Sequence, residues 1–161
     1  DIFNLAITST GKKIENQKYI IIKNRGSFLI SEKSNTSDEV FFIDENISSI
    51  TKPISLTFSV VNSLSNQCLK NSKNSTLDYN KLVFPLVLRK WKNGDSFIPL
   101  GMKGYKKVSD YMIDEKMSLL QKQNTWVLCS NDDIVSVIGN RIDDRYKLGH
   151  QTEKIYLVQP I

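Results

Sequence analysis

The sequence predicts an α+β fold of two small mixed units, each a β-sheet with short helices. Three observations lead there. Apolar runs of strand length recur from residue 19 to the C-terminus, helical patterns are short and limited to the N-terminus and residues 108–123, and an Asn/Ser-rich stretch interrupts the apolar density at residues 62–76. The stretch divides the chain into residues 1–76, a β-rich linker with a first subdomain, and residues 77–161, an α+β subdomain. A length of 161 residues suits one medium domain or two small ones. At 40% hydrophobic and 24% charged, the composition is that of a folded protein with a real core.

At the N-terminus, Ile2, Leu5 and Ala6 have helical spacing and Gly11 supplies a left-handed stop, which predicts a helix tail. YIIIKN (19–24) and FLIS (28–31) predict two strands around a tight turn at Arg25-Gly26. VFFID (40–44) predicts another strand, and residues 54–61 alternate Ile54, Leu56, Phe58 and Val60 with Ser55, Thr57 and Ser59, as a half-buried strand does. In LDYNKLVFPLVLRKW, Pro85 lacks a ladder donor and is expected at an edge or a bulge. Helices follow at VSDYMIDE, with Ser109 as N-cap and Val108, Tyr111 and Met112 on one face, and at SLLQKQ, where Ser118 and Gln121 have capping-box spacing. Residues 126–129 and 134–138 predict a hairpin closed by 130–133, and KIYLVQP a last strand. No internal repeat is present.

Several chemistries lack their residues. His150 is the single histidine and has no Cys or His nearby to share a metal; it is expected on the surface. Cys68 and Cys129 stand alone, which fits reduced thiols in a cytoplasmic protein. Asp132-Asp133 falls in the predicted turn, and Asp143-Asp144 lies between Arg141 and Arg145, so turn chemistry and ion pairing account for both pairs. Gly94, Gly101 and Gly104 form neither a Walker loop nor a dinucleotide fingerprint; Gly101 and Gly104 are expected to supply positive dihedrals in a turn. There is no run of about 18 apolar residues to cross a membrane. The start at Asp1, with neither initiator methionine nor leader pattern, suggests a piece of something longer.

Basic residues carry the remaining signal. Lys+Arg total 22 against 17 Asp+Glu, a net charge of +5, which tilts toward a polyanionic partner. Arg89, Lys90 and Lys92 flank Trp91, itself expected in the core or a domain seam, while Lys103, Lys106 and Lys107 surround Tyr105. The lysine trio either meets phosphate beside a helix N-terminus or is simply solvated, and Asp110 opposes an anion there. In RIDDRYK, Arg141 and Arg145 share a face if helical; they either grip phosphate or are neutralised by Asp143 and Asp144.

Residues 81–158, with the ordered signature R-x-W-x-x-G-D-x-F-x-P-L-G-M, K-K-V-S-D and I-G-x-R-I-D-D-R, resemble the C-terminal part of bacterial tRNA(Ile)-lysidine synthetase. Residues 10–30 resemble the preceding segment more weakly, and residues 32–76 do not align. The resemblance implies a parent ligase that uses ATP to adenylylate the wobble cytidine of an isoleucine tRNA and then joins lysine to it through a carbon–nitrogen bond. The family's catalytic loop, SGGxDS, is absent, so no catalytic, cofactor-binding or metal residue carries over, and ATP and Mg belong to the parent's catalytic domain.

By this resemblance, residues 1–76 hold the linker and first C-terminal subdomain, and residues 77–161 a tRNA-docking subdomain that helps hold the acceptor end without reacting. The implied partners are tRNA(Ile) and the chain's own N-terminal catalytic domain, with no membrane. Candidate RNA-binding residues at matching positions are Arg89, Lys92, Lys103, Lys106, Lys107, Arg141, Arg145 and Lys147. Gly94, Asp95, Pro99, Gly101 and Ser109 are assigned to turns and caps. The alternative is an interaction module, or a homodimer pairing through edge strands, without direct RNA contact.

Overall fold

A computed structural model describes residues 7, 9, 12–15, 19–24, 26–32, 39–62 and 71–161. The expected N-terminal helix, Arg25 and Cys68 lie outside them. Strands β1 (Lys13–Glu15), β2 (Tyr19–Asn24) and β3 (Ser27–Glu32) form an antiparallel three-stranded sheet, with β2 and β3 as the sequence anticipates.

The rest of the described chain is organised around two larger antiparallel sheets. One has four strands: β5 (Ser49–Ile50), β6 (Leu56–Val61), β14 (Ile155–Pro160) and β7 (Ser75–Asp78) in that spatial order. The other has five: β13 (Arg141–Ile142), β12 (Asp133–Val137), β11 (Trp126–Ser130), β8 (Leu86–Lys90) and β4 (Val40–Ile43). Their facing sides enclose one core, in which Leu56, Phe58, Leu77 and Tyr156 meet Ile43, Leu88, Trp126 and Leu128. A buried hydroxyl pair, Ser75 Oγ to Ser136 Oγ at 2.7 Å, ties the two layers together.

The other face of the five-stranded sheet carries a second core. Val127, Cys129, Ile134 and Val137 pack there against Val108, Tyr111 and Met112 of α1 (Val108–Asp114), the helix face the sequence anticipates. Because β11 and β12 are covered on both sides, they read as almost continuous apolar runs. A two-residue turn, Asn131-Asp132, joins them, with Asn131 at φ 51°. A ribbon of β9 (Ser96–Phe97) and β10 (Lys106–Lys107) leads into α1, and α2 (Leu119–Gln123) follows with the Ser118/Gln121 capping box in place.

Strands pair across residues 76–77: β4 with β8, and β14 at the chain's end between β6 and β7. A polar connector marks a loop and says nothing of how distant strands pair. Three sequence expectations are corrected. Pro85 lies at neither an edge nor a bulge; it immediately precedes the central strand β8, where its missing N–H falls outside the ladder. Ser109 does not cap α1. The chain enters the helix straight from extended Lys107, which leaves Ser109 inside the first turn. Among the described residues the left-handed glycines are Gly94, Gly101 and Gly139 (φ +92°, +88° and +71°); Gly104 is not one of them.

No helix of the described residues is long and apolar enough to cross a membrane.

Candidate nucleic-acid interface

The expected cationic residues fall into two groups, those clasped by internal carboxylates and those left exposed. Arg145 belongs to the first. Arg141 lies in β13, whereas Arg145 lies in a 3-10 turn, Asp144–Tyr146, so the two do not share a helical face. Arg145 donates from Nε to Asp143 Oδ1 and from Nη2 to Asp143 Oδ2, both at 2.9 Å, and from Nη1 to Asp133 Oδ1 at 2.9 Å. These carboxylates, Asp143 first, push its pKa further up. Asp143 is 0% exposed and also accepts the backbone N–H groups of Ile98 at 2.8 Å and Arg145 at 2.9 Å. Paired and fully hydrogen-bonded, this is the arrangement a buried charge requires.

The same network pins the loop between β9 and β10. Asp144 accepts the Gly101 N–H at 2.9 Å and binds Lys147 Nζ at 2.9 Å; the Gly101 bond first, then Lys147, holds its carboxyl below the usual range. Leu100 N–H donates to Ile142 O at 3.0 Å. Arg145 donates to the Tyr105 hydroxyl at 3.0 Å and lies 5.2 Å from the ring centroid. Tyr105 is nevertheless 64% exposed, so the loop presents a ring fixed from behind.

Arg89 is clasped as well. It meets Asp95 bidentately at 2.8 and 2.9 Å, and the Asp95 hydrogen bond is the main cause of its raised pKa. Asp95 also accepts the Lys92 N–H at 2.8 Å, which makes it the turn organiser the sequence anticipates. Trp91 is half-buried against the second core, its Nε1 donating to Lys122 O at 2.6 Å. Lys106 pairs with Asp114 on α1.

Lys92, Lys103, Lys107 and Arg141 form the other group. All four are exposed, and none has a carboxylate within ion-pair distance among the described residues. Lys107 sits opposite Ser96 and directly before α1. Arg141 reaches back to the buried Tyr111 hydroxyl, where it opposes the upward push of burial on that group. The turn after β8, the pinned loop, the end of β10 and β13 thus carry these cations. Sequence reasoning treated arginines and lysines alike; the signal it lacked was which carboxylates come within reach.

Other chemistry finds little support here. Burial pushes the Cys129 thiol up to about 11, which keeps it protonated and unreactive near neutral pH. His150 is exposed, and no group of three or more His, Cys, Asp or Glu among the described residues could hold a metal.

Comparison with known proteins follows the same line. A tRNA(Ile)-lysidine synthase of Parabacteroides distasonis is 39% identical over 159 residues, 98% of this chain. The chain therefore matches the C-terminal part of tRNA(Ile)-lysidine synthases over nearly its whole length. It spans only 36% of that synthase's length and corresponds to the family's C-terminal region. The Clostridium tetani synthase matches 99% of the chain at 27% identity, and here too the chain covers 36% of the relative. The Bacteroides thetaiotaomicron synthase matches 55% of the chain, and 21% of its own length, at 40% identity. No family model matches the chain.

Among solved structures, a TILS C-terminal domain superposes with a TM-score of 0.62 at 15% identity, covering 75% of this chain and 95% of that one. An N-terminal fragment of the phenylalanyl-tRNA synthetase β-subunit from Pyrococcus horikoshii gives 0.54 at 11% identity, over 86% of this chain and 57% of that one. At such identities both likenesses concern the fold alone. Within this synthase segment, the clasped arginines hold the scaffold and the exposed cations face outward.

Proposed function

We propose that this chain is the RNA-docking part of a tRNA(Ile)-lysidine synthase, holding tRNA(Ile) by charge while lysine ligation, with its ATP and Mg, takes place in another part of the longer protein. The observation that carries this is the set Lys92, Lys103, Lys107 and Arg141, exposed and unneutralised beside carboxylates that pair instead with Arg89, Lys106, Arg145 and Lys147. Cations without an internal carboxylate on a rigid platform suit phosphates and 2′-hydroxyls displayed across a shallow RNA groove. The name of the similar proteins, tRNA(Ile)-lysidine synthase, supports tRNA(Ile) as that RNA. On this reading the chain works in the cytoplasm, where its substrate is.

The test is the salt dependence of tRNA binding by the full chain. Lys103→Ala, Lys107→Ala and Arg141→Ala should each weaken binding and reduce the slope of log affinity against log salt by about one unit. Unchanged slopes in all three variants would remove the assignment.

A second reading, self-association through β4, rests on Val40 and Phe42, which are 46% and 63% exposed on that edge strand. It predicts sedimentation that shifts with protein concentration in the absence of RNA.

A further inference from the structure

Away from the cations just described, a cavity of about 530 Å³ opens where the edge of the five-stranded sheet meets the segment before β6. Its apolar lining is Phe41, Pro53, Ile54 and Trp126. Trp126 is only 4% exposed and meets the Phe41 ring edge-on, centroids 6.0 Å apart, which fixes the floor. A second hollow of about 340 Å³ shares Ile54, Asn124 and Trp126 with it, so the depression continues along the surface.

The polar groups of the cavity are few and of three kinds. Asn124 presents an amide, Lys52 and Lys90 present ammonium groups, and Glu39 a single carboxylate. Lys90 Nζ sits 4.7 Å over the Trp126 ring and donates to Gln123 O at 2.8 Å. Among the described residues no carboxylate comes within ion-pair distance of Lys90 or Lys52, and burial lowers the Lys90 pKa. A half-buried ammonium facing a cavity without a counter-ion favours an incoming anion.

We infer that this cavity receives one unpaired nucleotide of a bound RNA, its base against the Phe41/Trp126/Pro53/Ile54 wall and its phosphate between Lys52 and Lys90. The volume lies in the range of roughly 300–1,000 Å³ that small ligands occupy, and an apolar wall with few convergent polar groups is how such sites are built. Two ammoniums against one carboxylate leave one net positive charge, which matches the single charge of a phosphodiester. The Asn124 amide can both donate to and accept from a base edge. Unpaired bases are the elements of RNA that proteins take up by stacking. The inference rests on the RNA-docking reading above and names a separate contact for it, with a different RNA element.

Fluorescence anisotropy of the full chain with labelled single-stranded oligoadenylate, and separately with a blunt RNA duplex, tests it. Lys52→Ala and Asn124→Ala, both at exposed positions, should each weaken single-strand binding about 5- to 10-fold and leave duplex binding unchanged; Lys90→Met, which keeps the stem over Trp126, should do the same. Lys103→Ala and Arg141→Ala should show the reverse pattern. Loss of that reverse pattern alone speaks against the docking face, whereas single-strand affinity unchanged in the Lys52 and Asn124 variants overturns the cavity assignment. Absence of single-strand binding by the wild-type chain overturns it too. Free AMP binding as tightly as the oligomer would assign the cavity to a mononucleotide, and equal competition by an oligoglutamate peptide would reduce it to charge attraction; either result rejects the inference.

Discussion

Asp143→Ala is expected to lower folding stability by about 3–5 kcal/mol, the range for breaking a buried, hydrogen-bonded ion pair from one side. The side chain has no exposure and receives four hydrogen bonds, two from the Arg145 guanidinium and two from backbone N–H groups. Removing it leaves the Ile98 and Arg145 N–H groups unsatisfied and half of the guanidinium without a counter-charge. Asp133 and the Tyr105 hydroxyl still hold Arg145 on its other side, which keeps the loss within that range. Asp143→Asn retains one acceptor oxygen and should cost less. Urea unfolding measures both; a loss under about 1 kcal/mol for the alanine variant would mean the network is dispensable. The effect should reach the surface too, because Pro99 bridges to Asp143, Gly101 bonds to Asp144, and the loop carrying Lys103 and Tyr105 loses its anchor.

The double charge reversal Lys103→Glu with Lys107→Glu is expected to cut tRNA affinity on the order of 100-fold or more at about 0.15 M salt. One phosphate contact corresponds to roughly one unit of salt slope, about 7-fold at that salt concentration, and reversal adds repulsion to each lost contact. Folding should stay within about 0.5 kcal/mol, since neither side chain has an internal partner among the described residues and Lys107 caps α1 without a side-chain bond. A glutamate there even suits the helix N-terminus. Retained affinity with the fold intact would show that tRNA docks elsewhere, whereas matching losses of affinity and stability would point to a structural role.

The sequence made the local elements legible because each depends on neighbours within a few residues. Ser118 and Gln121 form the capping box their spacing implies, Val108, Tyr111 and Met112 share the buried face of α1, and the β11–β12 turn falls between its two apolar arms. The pairing of β14 with β6 was illegible for the opposite reason: it joins residues roughly one hundred positions apart in the chain, which composition does not encode. Arg89 and Arg145 show the same divide within the site. Asp95 and Asp143 lie near them in sequence, yet only the folded turns decide that these carboxylates face the guanidinium groups. Asp133, twelve residues from Arg145, arrives through the hairpin.

By itself the sequence determined an α+β class, the family signature over residues 81–158 and a basic set of candidates without catalytic motifs, all properties of residue type and short spacing. Tertiary structure decided which cations remain available. Coulomb attraction and hydrogen bonding act over a few ångströms, so whether a guanidinium meets a carboxylate of its own chain or is left for a phosphate depends on strand pairing and loop anchoring. The cavity between Phe41, Lys52, Lys90 and Asn124 follows the same rule, for its walls come from segments that only the packed sheets bring together.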